Sequence, residues 1–187
     1  MPSSAYPSFM SNTVVDNATI YLAMGCFWGA EEIFWLQDGV VDTSVGYMGG
    51  DRVSPSYQEV CTGRTGHTET VSVTYDLAKI STLEILQQFW ERHDPTQGMR
   101  QGNDVGSQYR SAIFTTTDEQ FELARRTRDL YNAELLARGY GEITTEIAPA
   151  ADFAYYVAEP YHQRYLEVNP NGYRCHSMTG VALPELA

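Results

Sequence analysis

From residue 18 onward the chain alternates between two periodicities. In "ATIYLAM" (18–24) β-branched and apolar residues follow one another with a period of two, which predicts a strand, and from Phe27 to Leu36 the apolar positions recur at helical spacing and stop before Asp38-Gly39. "VVDTSVGYMGG" predicts a second strand that runs into a glycine loop, and "HTETVSVTYD" (67–76) alternates as a half-solvated strand does. "STLEILQQFWERHD" opens with Ser81 and carries Glu84 three residues on, the pattern of a capping box, and continues at helical spacing. "YRSAIFTTT" (109–117) predicts a strand, Thr117 caps a long helix closed by Gly139, and "EITTEIA" predicts a last strand.

The predicted order is β-α-β-β-α-β followed by α-β. Its first six elements are those of a split βαβ unit, so the expected class is α/β in the α+β sense. The architecture would be a ferredoxin-like two-layer αβ plait with helices on one face, long loops and an extended coil C-terminal tail. Loops over 49–66 and 93–108, and the tail from about Ala148, are polar and rich in glycine or proline. Loops of that length inside a compact domain carry function or are disordered.

Length and charge narrow the classes. At 187 residues the chain suits one domain that buries its own core, expected over 18–187 behind a Ser/Pro-rich disordered lead over 1–17. Twenty-four acidic against 12 basic side chains leave a net charge of −12, a field that repels nucleic acid and anionic membranes. "MPSSAYPSFMSNTVVDN" has neither a basic region nor an apolar run, and no stretch is long and apolar enough to span a bilayer. A cytoplasmic monomer is the expectation. Its three cysteines, Cys26, Cys61 and Cys175, are too few for a disulfide scaffold and begin as thiols in such a compartment.

Cys26 in "MGCFWG" falls where the first strand passes into the first helix, at free backbone N–H groups that favour a thiolate. The helix dipole contributes roughly 0.3–1 kcal/mol, whereas one pKa unit is about 1.4 kcal/mol, so the helix end alone cannot ionise the thiol at neutral pH. No lysine or arginine stands within twenty residues of Cys26, and Glu31 and Glu32 follow it. A buried structural thiol is the alternative reading. Phe27 and Trp28 diverge by about 100° around the helix, so both cannot face the core together, and one or both can line an apolar pocket for a methyl group.

Glu69 enters its strand from a glycine turn. Facing inward it would be desolvated and act as a general acid; on the other face it would be a solvated carboxylate. His67 in the same turn is either a base or incidental. Tyr57, Tyr109 and Asp104 sit on loops beside strands, where the hydroxyls can hold a substrate oxygen or merely pack under the loops. Cys175 lies in an irregular glycine-rich tail, suited to swing toward another thiol; with His176 it lacks a second ligand pair, so no metal is expected. Together these residues suit a thiolate attacking a heteroatom while an acid protonates the departing oxygen, as in sulfoxide reduction.

"GCFWG", "GHTE", "GNDVGSQYRS" and "YHQRYLEVNPNGY", in this order from about Ile20 to Cys175, resemble the A-type peptide methionine sulfoxide reductases. The resemblance implies that Cys26 is the nucleophile and passes through a sulfenic acid, and that Phe27 and Trp28 hold the substrate methyl. It further implies that Glu69 delivers the proton, that Tyr57 and Tyr109 bind the oxygen, and that Asp104 supports the pocket. Cys175 would resolve the sulfenic acid as a disulfide that thioredoxin reduces, with the S epimer as substrate, free or protein-bound, and no metal or organic cofactor. The chain departs from the family pattern twice: Arg174 separates Cys175 from Gly172-Tyr173, and Ala182 stands where many members have a further cysteine, so a third-cysteine relay is not expected. Cys61 is given no role. A thiol peroxidase or redox sensor, and a silent module that binds methionine-rich segments, are the alternative readings.

Overall fold

The computed structural model describes residues 16–175 and 177–186, so most of the expected lead and His176 lie outside the described residues. In chain order the elements are β1 (Asn17–Met24), α1 (Phe27–Trp35), β2 (Val40–Met48), α2 (Tyr57–Cys61) and β3 (Thr68–Asp76). There follow α3 (Thr82–Glu91), β4 (Arg100–Gln101), β5 (Asp104–Val105), β6 (Ser111–Thr115), α4 (Asp118–Ala137), β7 (Glu146–Pro149), β8 (Tyr156–Val157) and α5 (Tyr165–Val168). Six strands form one sheet in the order β7-β6-β1-β3-β2-β8, while β4 and β5 make a separate small hairpin. The central four, β6-β1-β3-β2, pair antiparallel throughout, as the expected plait requires. β7 joins β6 in parallel, because α4 carries the chain back across the sheet.

The period-two pattern of β1 serves two faces. Ile20, Leu22 and Met24 join Val71, Val73 and Tyr75 of β3 under the three long helices, against Phe34, Phe89, Trp90, Tyr131 and Leu135. Ala23 points the other way, into a smaller cluster with Met48, Ala112 and Phe114 that Phe153 and Tyr155 cover. The helices thus occupy one face, and the segment after β7 covers the other. Trp90 is fully buried and its indole N–H donates to Thr127 Oγ1 at 2.9 Å. Trp90→Ala is expected to lower unfolding free energy by about 3–5 kcal/mol in a urea titration, since it empties a closed site; the Thr127 hydroxyl loses that donor but keeps the Leu123 and Ala124 carbonyls.

Capping behaves as the side chains dictate. Ser81 Oγ accepts from Glu84 N and Glu84 Oε2 accepts from Ser81 N at 2.8 Å, and Thr117 Oγ1 accepts from Gln120 N. Three expectations need correction. The strand expected over 109–117 is only Ser111–Thr115, because Gly106 at φ +147° turns the chain and Tyr109 falls in a single 3-10 turn over 107–109. The strand expected over 142–148 starts at Glu146, because Thr144 turns its N–H and hydroxyl to the Pro95 carbonyl. The tail is not all coil: β8 extends the sheet beside β2, and α5 packs near α1.

Candidate active site

Gly25 carries the chain from β1 into α1 with φ +97°, and a Cβ there would press within 2.8 Å of Gln101 Cβ, so glycine suits both the turn and the space. Cys26 follows as the residue that caps α1, 7% exposed. The first helical N–H, on Phe27, donates to Glu69 Oε2 at 3.0 Å. One α1 end therefore joins the nucleophile candidate to the acid candidate.

Glu69 faces inward. It shares the face of Val71, Val73 and Tyr75, which the strand's alternation points at the helices, and lies opposite Tyr47 on β2. It is 2% exposed. Burial pushes its carboxyl up to about 8, against the pull of the Phe27 N–H and with some help from the Asp104 charge. At neutral pH it holds a proton.

Cys26 is held as a thiol as well. Its hydrogen bond with the Cys175 thiol, its burial and the nearby Glu69 carboxylate all push its pKa well above the ordinary value, and the Trp28 amide offsets only part of this. The tail thus brings Cys175, 8% exposed, into contact with Cys26 with both sulfurs reduced. Cys61 is the third free thiol, exposed, and its sulfur accepts a hydrogen bond from the Tyr57 hydroxyl one helical turn away on α2.

Phe27 and Trp28 diverge as helix geometry demands. Phe27 is buried, its ring 5.9 Å from Tyr47 and 5.1 Å from His162. Trp28 is half-buried, stacked 3.8 Å from Tyr165, and its Nε1–H donates to His162 Nδ1 at 3.0 Å. That bond makes Nδ1 an acceptor, so the imidazole is neutral, and burial keeps it so by lowering its pKa against the pull of Glu159. Tyr57 lies 4.4 Å from the same ring. His162, Tyr165, Tyr47 and Glu159 were not singled out by sequence reasoning. Glu159 ties the wall together, accepting from Tyr47 Oη at 2.7 Å and from Tyr57 N at 2.8 Å.

Tyr57 enters as the first residue of α2, where Ser56 and Glu59 form a capping box. Burial, first of all, and the charge of Glu69 raise the pKa values of both Tyr57 and Tyr109, so both hydroxyls stay protonated donors. Asp104, on β5, accepts from Tyr173 Oη at 3.1 Å and lies near enough to Glu69 to act on its charge. His67 is engaged elsewhere, with Nδ1 accepting from Gly50 N and Nε2 bonded to the Arg52 carbonyl, so it offers no free base. Among the described residues no three His, Cys, Asp or Glu side chains cluster as a metal site. A groove of about 610 Å³ on the other face, lined by rings such as Tyr21, Phe121, Phe153 and Tyr155, contains no thiol and no buried acid. Both lie at the start of α1 instead, at Cys26, Cys175 and Glu69.

A plait that sets paired thiols and a protonated buried carboxyl beside an aromatic wall has the groups an oxidoreductase working through thiols requires. The model of the family described as peptide methionine sulfoxide reductase matches residues 18–185. The chain is 57% identical over 169 residues to the peptide methionine sulfoxide reductase MsrA of Salinispora tropica, covering 89% of this chain and 76% of that one. It is 57% identical over 165 residues to that of Vibrio cholerae, covering 88% and 77%. Methionine sulfoxide reductase A of Corynebacterium diphtheriae superposes with a TM-score of 0.82 at 51% identity, over 90% of this chain and 84% of that one. Mxr1 of Saccharomyces cerevisiae in reduced form gives 0.76 at 37%, over 88% and 93%. The chain belongs to the peptide methionine sulfoxide reductase family, on its A-type branch, and is an oxidoreductase that reduces methionine sulfoxide.

Proposed function

We propose that residues 18–187 act as one catalytic domain that reduces the S epimer of methionine sulfoxide, free or protein-bound, by thiol chemistry at Cys26. The observation that carries this reading is the pairing of Cys26 with a carboxyl held protonated at neutral pH, joined through the Phe27 N–H. A sulfoxide oxygen is a poor leaving group until it is protonated. A substrate with its oxygen at Glu69, Tyr57 and Tyr109 draws the acid's proton toward itself, and its sulfur becomes electrophilic.

Cys26 Sγ then gives an electron pair to that sulfur, and the thiol proton passes to the Glu69 carboxylate, which restores the acid. Oxygen passes to Cys26, methionine departs, and the products balance as methionine plus Cys26 sulfenic acid. The Cys175 thiol attacks the sulfenic sulfur, an S–S bond replaces the S–O bond, and water leaves. A dithiol reductant of the thioredoxin class takes the disulfide back to two thiols without a bound cofactor. With Cys26 low-lying as a thiol in the free enzyme, ionisation is coupled to substrate binding rather than completed beforehand.

Specificity follows from three attachments around one stereocentre. Trp28, with Phe27 behind it, suits the methyl, the acid and tyrosines suit the oxygen, and the nucleophile needs the remaining line of approach, so only one epimer satisfies all three. The family resemblance makes it S. Free thiols at Cys26, Cys61 and Cys175 suit a reducing compartment such as the cytoplasm. No described helix is long and apolar enough to cross a membrane. The test is NADPH consumption with thioredoxin and its reductase on each separated epimer of a blocked methionine sulfoxide. Turnover on S alone is expected; turnover on R would overturn the epimer assignment, and no turnover on either epimer, or faster consumption with hydrogen peroxide, would return the peroxidase reading.

A further inference from the structure

Cys175 belongs to a segment without regular structure, so its place beside Cys26 depends on what its neighbours hold. Downstream, Ser177 N donates to Gln101 Oε1 at 3.1 Å. Upstream, Arg174 sends Nε and one terminal nitrogen to the two oxygens of Glu32, each at 2.6 Å. Its other terminal nitrogen donates to the carbonyls of Pro170 and Gly172, at 3.0 and 3.1 Å. Glu32 stands on α1, the helix that Cys26 caps. One guanidinium thus closes the chain leading to Cys175 on itself and fastens it to the helix that carries the nucleophile.

The geometry decides which residue type can do this. Two parallel N–H donors facing two carboxylate oxygens is a fork that arginine forms and lysine cannot. Arg174 also stands directly before Cys175, so the fork fastens the chain one residue from the thiol. A tail segment without regular structure leaves the thiol slack. Arg174 supplies the fastening that removes the slack.

We propose that the Arg174–Glu32 fork is a positioning device for disulfide formation, setting how efficiently Cys175 captures the Cys26 sulfenic acid. The inference rests on the cysteine roles given under Proposed function. In the step concerned, Cys175 sulfur bonds to Cys26 sulfur, the S–O bond breaks, and the hydroxyl leaves as water with the thiol proton. Neither Arg174 nor Glu32 touches these atoms. Both are positioning residues.

The experiment is a single turnover on methionine S-sulfoxide without external reductant, in which dimedone, a trap for sulfenic acid, competes with Cys175. Methionine formed, trapped enzyme and disulfide are counted in the same quenched samples. The ratio of disulfide to trapped enzyme is expected to fall roughly fivefold in Glu32→Gln and Arg174→Gln, the upper end of what an exposed but bidentate pair contributes. Arg174→Lys should fall between these and the wild type. In 1 M salt the wild-type ratio should drop toward that of Glu32→Gln, which should itself stay unmoved. The exchanged pair, Glu32→Arg with Arg174→Glu, should recover part of the loss, which a merely structural defect would not do. Equal ratios in wild type and both neutral variants, with methionine released, would overturn the device alone. No methionine from the wild type would overturn the cysteine roles and the device together.

Discussion

Cys26→Ser is expected to release no measurable methionine from methionine S-sulfoxide, a loss of at least about ten-thousandfold, the scale on which enzymes fail without their nucleophile. A serine oxygen is a far poorer donor to a sulfoxide sulfur, and among the described residues none of the groups acting on Cys26 is a cation: they are the Cys175 thiol, Glu69 and the Trp28 amide. The fold should survive, because serine fills nearly the same space at the end of α1 and the Phe27 N–H keeps its partner on Glu69. Cys175→Ser separates the two thiols. It should release one equivalent of methionine per enzyme and then halt with Cys26 oxidised, whereas Cys26→Ser releases none. Methionine counted by chromatography against active enzyme checks both, and sustained release from Cys26→Ser would place the nucleophile elsewhere.

The scaffold was legible because its signals are local. Ser81 with Glu84, Thr117 before its helix, and the alternation of Ile20, Leu22 and Met24 each depend on neighbours a few positions apart. The same signature at Ser56 and Glu59 opens α2 and aims Tyr57, yet a helix of five residues has too little periodicity to stand out from its loop. Glu69 shows how a site becomes legible only in part. Val71, Val73 and Tyr75 share its face, but whether that face is covered depends on α1 closing over it, a contact across 42 positions. The wall around Trp28 was not legible at all. His162 meets Trp28 across 134 positions and Glu159 meets Tyr47 across 112, and no local pattern encodes either contact. Cys61 offered a thiol but no direction; only the helical turn of α2 puts it against the Tyr57 hydroxyl.

Glu69→Gln is expected to slow methionine formation about 10²–10⁴-fold, the usual contribution of a positioned proton donor, and to remove a pH dependence that the wild type shows. Glutamine keeps the shape, and its amide oxygen can still accept from Phe27 N, so the end of α1 stays in place. What it cannot do is give up a proton. In the wild type burial lifts the carboxyl from its ordinary 4.5 to about 8, so the acid is loaded across the neutral range and its rate contribution falls as pH rises through about 8. The same shift has a signed consequence for stability. Between 4.5 and about 8 the folded protein holds a proton that the unfolded chain has released, so unfolding free energy falls as pH rises through that window, by up to about 1.4 kcal/mol per unit. Below the window both states carry the proton, and above it neither does. Glu69→Gln should therefore be slower at every pH, flat in rate near pH 8, and relieved of that slope in denaturant titrations at pH 5, 6.5 and 8. The two readouts constrain each other: a rate loss with the slope retained would mean that some other group binds the proton, and Glu69 would then be a prop for the helix end rather than the acid.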